Sequence, residues 1–475
     1  MSDLRIHKLL KSLNAKDLNR FSKFIDSPYF NRKESVKSLN LLLSQNIREG
    51  QAALPEKEEI WTSINPDLEY NDLKFRKLCN DLIDRFERFL ITEELQADPL
   101  LGANLLLNSI KEKKLESLAE KHINKSQVFM DRSVDRSADF FLQKYFFEKT
   151  LHHLQSNYEK KADRKKASDS QNYNYLTDNL DAFYVIEKLR HACDVLTWKK
   201  IYKIEAEVDV EHAIALIKNN KLGSIPAVSM YHLMFLLLSE AGSHDDYLSL
   251  RSLAFSNIEL FPFNERREIF DSLLTFCIKD INKGGKAYYV DLLELYDWGI
   301  DTEIIQENGY LSPTTFRNYM IAGLRFGAFS EVEKFIHSRS VLLQDKHRDN
   351  AVQFNLARLK FYKKDYSSVV GHLAQVNYDD VWYNVNSRSL LLAAYYELQE
   401  YDVMESTLDS FSTYLRREKS LETNKRLVYS RFNFYLKKIH RSKEKAGLEK
   451  IKEALIAERL VNNKGWLLEK IDELL

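Results

Sequence analysis

Apolar residues recur at intervals of three and four along almost the whole chain. Near the N-terminus, one stripe comprises Leu9, Leu10 and Leu13, and the next runs from Leu18 to Ile25. This spacing puts apolar side chains on one face of a helix, as in amphipathic helices that pack against one another. No stretch shows sustained two-residue alternation of apolar and polar residues, so no sheet is predicted. The pattern therefore predicts an all-α protein.

The segment FIDSPYFN, residues 24–31, marks a predicted corner between two helices. A proline disfavours helical backbone at the preceding residue, so the first helix should end just before Pro28. Asn31, with a glutamate three residues later, resembles a capping box and predicts the start of the next helix. We expect Tyr29 and Phe30 to pack at this corner, which makes the segment a joint. The alternative is that its aromatic cluster forms a site.

Glycine and proline are scarce, with 13 and 7 among 475 residues, which favours long helices joined by short turns. The stretch EKKADRKKASDSQN at 159–172 contains almost no apolar residue and is predicted to be an exposed loop. We divide the chain into an N-terminal helical segment, 1–95, a central helical array, 96–310, and a C-terminal part, 311–475.

Net charge and cysteine spacing restrict the class of protein. The chain has 70 basic and 70 acidic side chains, so its net charge implies no general attraction to nucleic acid or membrane. The apolar runs are shorter than the ~20 residues that span a bilayer, and the first residues lack a signal peptide's apolar stretch. Cys79, Cys193 and Cys277 are widely separated and suit a reducing compartment. We expect a cytoplasmic protein without a membrane segment.

Three segments of the C-terminal part, at 318–336, 355–373 and 390–408, align with one another. Each has a helical stripe, a short polar turn and an aromatic residue that precedes a second helix. The aromatic residues are 37 and 35 positions apart, at Phe329, Tyr366 and Tyr401. Apolar residues follow each aromatic residue after three and seven positions, namely Val332, Ile336, Val369, Leu373, Met404 and Leu408.

These units resemble tetratricopeptide repeats, which are helix–turn–helix units with a period of about 34 residues. Ala357 occupies the position where that family has a small residue, whereas Met320 and Leu392 occupy it in the other two units. No proline closes a unit. The whole chain is also similar to bacterial helical-repeat proteins of no assigned activity. The resemblance implies an elongated α–α solenoid, tetratricopeptide-like in its C-terminal third, in which stacked helix pairs bury a continuous core.

A fourth helix pair and a terminal cap are predicted after the three aligned units. The cap is the segment 465–475, which has apolar residues on one face and charged residues on the other. Its apolar face comprises Trp466, Leu467 and Ile471. The first helix of the fourth pair is predicted to contain Leu427, Phe432, Phe434, Tyr435 and Ile439.

The sequence offers no catalytic motif. It lacks a phosphate-binding loop, HExxH, CxxC and a GxSxG elbow, so we expect no enzyme, no cofactor and no metal site. The adjacent His152 and His153 point about 100° apart on a helix and would not share an ion. Glu187, Lys188 and Arg190 interrupt an apolar helix. They form either an interior ion-pair network or the polar lining of a groove, and pairing is favoured because buried charges need partners.

Two stretches carry opposite charge. Residues 416–452 contain 13 lysines and arginines against 4 glutamates, whereas residues 245–310 contain 13 acidic residues against 6 basic ones. The basic stretch is interleaved with aromatic residues that are expected to face the core, as in a solvated cationic face. The alternatives are a face for an acidic protein or for RNA. Its cations expected to face water are Arg426, Lys437, Lys438 and Arg441.

The resemblance to helical-repeat arrays implies a scaffold that binds a protein partner on a concave surface formed by the first helix of each pair. In the best-defined unit, the exposed candidates for partner binding are Asn386, Ser389 and Glu397. The alternative function is RNA or DNA binding through the basic face at 416–452. Neither the partner nor the oligomeric state follows from the sequence.

Overall fold

The computed structural model describes residues 4–50, 54–158, 173–219, 221–285, 288–442 and 444–475. Helices dominate this part of the chain, and the predicted all-α class is confirmed. The predicted exposed loop at 159–172 lies outside the described residues. The chain forms two compact units, Met1–Glu187 with Leu216–Leu222, and Lys188–Ala215 with Gly223–Leu475. We call them unit 1 and unit 2.

Among the described residues, eight helices lie within unit 1 and two more include residues of both units. The eight are α1 (Arg5–Lys11), α2 (Ala15–Asp26), α3 (Glu34–Arg48), α4 (Lys57–Ile64), α5 (Asp72–Ala97), α6 (Pro99–Glu112), α7 (Glu116–Arg132) and α8 (Ala138–Tyr158). The other two are α9 (Tyr173–Tyr202) and α10 (Glu211–Asn219). Apolar residues of α1 to α5 form one continuous core, which contains the stripes read from the sequence.

The predicted corner at 24–31 is a joint between α2 and α3. The helix α2 ends at Asp26, as expected from Pro28, and the ring of Phe30 stacks on that of Phe24 at 4.0 Å. The capping role predicted for Asn31 is wrong, because α3 begins later, at Glu34. The buried Asn31 side chain instead donates hydrogen bonds to the carbonyl oxygens of Ile25 and Lys33, at 3.2 and 3.1 Å. The expected packing of Tyr29 is also wrong, since this residue is 87% exposed.

Unit 2 contains the remaining helices. They are α11 (Pro226–Leu238), α12 (His244–Asn257), α13 (Phe263–Asn282), α14 (Tyr288–Asp301), α15 (Pro313–Phe326), α16 (Phe329–Arg339), α17 (Asp345–Tyr362), α18 (Tyr366–Leu373), α19 (Val381–Glu397), α20 (Tyr401–Arg417), α21 (Thr423–Arg441), α22 (Lys445–Ala457) and α23 (Lys464–Leu474). Two short 3₁₀ turns described in this unit are Ile258–Leu260 and Ser340–Leu342, and another, Lys221–Ser224, includes residues of both units.

Unit 2 also contains a very small antiparallel hairpin, which the absence of alternation did not predict. Its strands are β1 (Gln306–Glu307) and β2 (Tyr310–Leu311). The connecting Asn308 and Gly309 both have positive φ, 53° and 78°. An Asn-Gly pair favours this two-residue turn, so the turn residues were the available signal for strands too short to show a period.

The three aligned segments are successive helix pairs. The second helices α16, α18 and α20 begin at the aromatic residues Phe329, Tyr366 and Tyr401. The apolar residues three and seven positions later are all buried. Each second helix packs against the first helix of the next pair, and the first helices α15, α17, α19 and α21 also pack consecutively. This packing is that of a helical-repeat array.

The fourth pair, α21 and α22, and the terminal helix α23 share one core with the third pair. Tyr429, Phe432 and Tyr435 are buried, as expected for aromatic residues that face the core, and Ile439 is buried as well. The expectation is wrong for Phe434, which is 50% exposed, and Leu427 is 39% exposed.

One turn recurs within each of the three pairs. The residue two positions before each aromatic residue has a left-handed backbone, with φ of 85° at Gly327, 60° at Lys364 and 59° at Gln399. The next residue donates its N–H to the carbonyl five positions back; an example is Asp365 to Lys360, at 2.9 Å. This hydrogen bond ends the first helix in a Schellman arrangement, in which glycine is the preferred left-handed residue.

Glycine at Lys364 or Gln399 is expected to raise the free energy of unfolding by about 0.5–1 kcal/mol, because it relieves left-handed strain. Gly327→Ala should lower the free energy of unfolding by about 1 kcal/mol, because alanine is strained in the left-handed conformation. The control is Gly371→Ala in α18, where φ is not positive and a Cβ meets no atom. Alanine should stabilise that position. Hydrogen exchange of the backbone amides in unit 2 measures the change in unfolding free energy for all four variants. Changes of the same sign in Gly327→Ala and Gly371→Ala would contradict the explanation.

Candidate functional site

A groove of about 710 Å³ lies along the first helices of the pairs in unit 2. We call it the repeat groove. Helices α15, α17 and α19 contribute to it, and residues 461–469 of the C-terminal segment form one wall. Its cationic lining residues are Arg325, Arg358, Lys364 and Lys464, and its aromatic ones are Phe361, Tyr362, Tyr366 and Trp466.

A smaller cavity of about 200 Å³ adjoins the repeat groove. Ile321 and Arg325 line both cavities, so both border α15. The lining of the smaller cavity comes from α13, α14 and α15 and is mostly apolar. Its apolar and aromatic members include Ile278, Ile281, Tyr289, Leu292 and Tyr296. The combined surface offers a cationic end and an apolar end.

Three arginines concentrate positive charge at the repeat groove. Burial lowers the pKa of Arg358, and the like charges of Arg325 and Arg317 lower it further, while Tyr362 partly offsets them. The guanidinium of Arg317 lies over the ring of Trp382, 4.4 Å from its centre. Among the residues that the structure describes, no carboxylate is within ion-pair distance of these three arginines. The cluster is therefore an uncompensated cationic site.

The C-terminal segment is fixed to α19 by specific polar contacts. Asn462 donates to the hydroxyl of Ser389 at 2.6 Å, and the indole N–H of Trp466 donates to Glu397 at 2.7 Å. The ammonium of Lys470 pairs with Glu397 at 2.9 Å. Burial alone would lower the pKa of Lys470, but its hydrogen bonds and ion pairs with Glu473 and Glu397 outweigh burial and raise it.

The three residues of α19 that were predicted for partner binding are Asn386, Ser389 and Glu397, and two of them contact the C-terminal segment. Asn386 is half-buried and accepts a hydrogen bond from the hydroxyl of Tyr429 at 3.1 Å. The expected exposure of Ser389 and Glu397 is wrong, because Ser389 is fully buried and Glu397 is bonded to the C-terminal segment. The α23 helix packs back onto earlier repeats, a long-range contact that spacing along the chain does not reveal. Direct partner binding by these residues stays a prediction.

The predicted basic face is brought together on α21 but is partly neutralised. Lys437 lies 3.4 Å from Asp409, and Arg441 lies 3.3 Å from Glu405, both carboxylates of α20. Lys438 instead stacks over the ring of Phe434 at 4.5 Å. Arg426 is half-buried and donates to the backbone carbonyls of Glu418 and Leu421, so it holds the turn before α21.

The interior ion-pair interpretation is confirmed for Arg190. Its guanidinium pairs with Glu268 at 3.3 Å and Glu265 at 3.8 Å, and the hydroxyl of Tyr231 donates to Glu265 at 2.8 Å. The neighbouring Cys193 is buried, and burial raises the pKa of its thiol to about 12. A thiol in this state is protonated at neutral pH and is a poor nucleophile.

Within the acidic stretch 245–310, several carboxylates already have cationic partners. Arg251 pairs with Asp291 at 3.4 Å and also contacts Glu294, and Arg266 pairs with Glu259 at 2.8 Å. Asp301 pairs with Arg339 of α16 at 2.7 Å. These contacts join neighbouring helices of unit 2, so they contribute to packing.

The chain matches no protein-family model, no curated protein and no solved structure. In the described ranges, no three histidine, cysteine or acidic side chains are grouped so that they could hold a metal ion. None of the helices described is both long and apolar enough to cross a membrane. The fold and the groove define an all-α helical-repeat protein with a cationic and apolar groove along its first helices.

Proposed function

We propose that this protein is a scaffold that binds an extended segment of a partner protein in the repeat groove. The observation that carries the proposal is that the two cavities adjoin at Ile321 and Arg325, which line both of them. A tetratricopeptide-like array presents such a surface along its first helices. Aromatic and arginine side chains are enriched at the energetic centres of protein interfaces, and both types line this groove.

The proposal assigns binding to the chain and no catalytic step. The groove side chains lie on packed helices, so they are positioned before a partner binds, and binding orders fewer side chains.

Burial raises the pKa of Cys193 and Cys277 to about 12 and that of Cys79 to about 11. We propose a cytoplasmic protein, because free thiols persist in a reducing compartment.

Site-specific crosslinking tests the scaffold function. A photoreactive amino acid replaces Ile321, which lines both cavities, and the full-length chain is irradiated in its native cell. We expect one stoichiometric protein adduct that survives nuclease. The matched control replaces Val341, an exposed apolar residue of the same unit outside the groove. Equal adducts at both positions, or none at Ile321, would reject binding in the groove.

Nucleic-acid binding at the basic face is the second candidate, and one observation favours it. Phe434 is half-exposed beside Lys438, which is the pairing of ring and cation that stacks on bases and contacts phosphates. Reversal of Lys437, Lys438 and Arg441 to glutamate should abolish binding of a single-stranded RNA. The logarithm of the affinity of the unaltered chain should fall steeply with the logarithm of salt concentration. A flat salt dependence or unaffected variants would exclude this function.

A further inference from the structure

We propose that the segment bound in the repeat groove is an acidic peptide with an apolar anchor. Its carboxylates would be held by Arg325 and Arg358, and its apolar side chain would enter the smaller cavity beside Ile321. This inference rests on the proposed scaffold function, and it adds the chemical class of the ligand.

Three arginines without a carboxylate partner among the described residues gather at this site. Several other arginines of the unit are paired, since Arg339 lies 2.7 Å from Asp301 and Arg431 lies 2.7 Å from Glu458, whereas Arg388 and Arg426 donate to uncharged groups. In the part of the chain that the structure describes, Arg317, Arg325 and Arg358 have no carboxylate partner. Like charges gathered around a half-buried guanidinium destabilise one another, so a carboxylate that arrives there removes an unfavourable interaction as well as adding a favourable one.

The groove wall already contains an internal example of the proposed contact. Glu469 of α23 lines the groove and lies 3.9 Å from the ammonium of Lys364, which also lines it. A carboxylate is therefore accommodated beside one cation of the lining. The arginines of the same lining offer a planar fork of donors, which fits a carboxylate with two parallel hydrogen bonds.

The shape and lining of the groove favour a peptide over nucleic acid or a single anion. The cationic cluster adjoins a mostly apolar cavity, and a lone phosphate or sulfate has no group for that cavity. Base stacking needs open ring faces. Tyr362 is 42% exposed, but the Trp466 ring is packed edge-to-face against Phe361 and Tyr396, at 6.4 and 5.6 Å. Tyr366 is likewise packed against Phe361, at 5.4 Å.

Fluorescence anisotropy with defined probes tests the ligand class on the full-length chain. The probe is a fluorescein-labelled decapeptide of glutamate and aspartate around two adjacent leucines. Three comparison probes replace its acids by glutamine, replace its leucines by serine, or substitute a single-stranded oligonucleotide of equal charge. We expect the acidic leucine peptide to bind at least about tenfold more tightly than each comparison probe.

Two variants locate the binding. Arg325→Gln and Arg358→Gln should each weaken the acidic peptide about tenfold or more and leave the glutamine peptide unchanged. Arg325 is exposed, so its variant is expected to fold even if the more buried Arg358 variant does not. Lys419→Gln removes an equal charge from an exposed site outside the groove and should have no effect. Arg358→Lys should restore only part of the affinity, because an ammonium lacks the fork.

The remaining outcomes would each refute the inference, and they differ in which proposal they refute. Equal affinity for the acidic and glutamine peptides would refute the ligand class, yet the scaffold function would stand if the Ile321 crosslink persisted. Tighter binding of the oligonucleotide that depended on Arg325 would reassign the groove to nucleic acid. Equal loss in Lys419→Gln would show attraction by net charge alone. No peptide affinity together with no crosslink at Ile321 would refute both proposals.

Discussion

Replacement of Phe21 by alanine is expected to lower the opening free energy of the N-terminal core by about 3–5 kcal/mol. Phe21 is fully buried between α2 and α5, with its ring 5.5 Å from Phe86 and 5.3 Å from Phe89. Alanine removes the ring and leaves a cavity whose lining comes from two helices, so neither helix can fill it by moving alone. The lost edge-to-face contact with Phe86 adds to the lost burial.

Hydrogen exchange of the backbone amides in α2 and α5 measures this loss for unit 1 separately from unit 2. The matched control is Tyr29→Ala, because Tyr29 is an aromatic residue of the same helix corner but is almost fully exposed. It should change the opening free energy by no more than about 0.5 kcal/mol. A loss below about 1 kcal/mol at Phe21 would show that this core tolerates truncation, against the close packing around it.

Local signals predicted the helices and the repeats because their causes are local. Asn14 caps α2 by accepting the N–H of Asp17 at 2.9 Å, and Asp98 caps α6 with Pro99 at its first position. In the repeats, the position of each aromatic residue fixes the start of the second helix. The same alignment identifies the buried positions, since side chains three and seven residues later return to one face of a helix.

Long-range packing explains one part of what the sequence did not predict. The C-terminal segment packs back across α19, so Ser389 contacts Asn462 and Glu397 contacts Trp466 and Lys470. The miss at Asn31 has a local cause. Asn31 precedes a glutamate by three residues, as a capping residue would, but its side chain donates to the carbonyl oxygens of Ile25 and Lys33 within the corner.

The repeat groove could have been found in part from the alignment. Positions four residues before the three aromatic residues are Arg325, Tyr362 and Glu397, and positions eight before include Ile321 and Arg358. All five line the groove or hold its wall. The register of the repeats thus predicts which residues share the face, while the absence of carboxylate partners near the arginines depends on three-dimensional packing.

The second large effect concerns the ion pair that holds the groove wall. Lys470→Ala is expected to lower the opening free energy of the C-terminal helices by about 3–5 kcal/mol, because it leaves Glu397 without its cation in a largely dry site. The two side chains are only 6% and 14% exposed, so solvent cannot replace the lost partner. Hydrogen exchange of peptides from 445–475 reports this opening directly.

A double variant separates the pair's own contribution from the penalty of an unpaired charge. Lys470→Met with Glu397→Gln removes both charges, keeps an acceptor for the Trp466 indole and fills the space with an apolar chain. We expect it to recover most of the stability that Lys470→Ala loses, since two neutral groups need no desolvated counter-charge. If the double variant were as unstable as Lys470→Ala, the attraction between the two charges would be the main source of stability.

Because α23 forms part of the wall of the repeat groove, Lys470→Ala should also weaken the binding of any peptide there. The double variant should restore that affinity together with the fold.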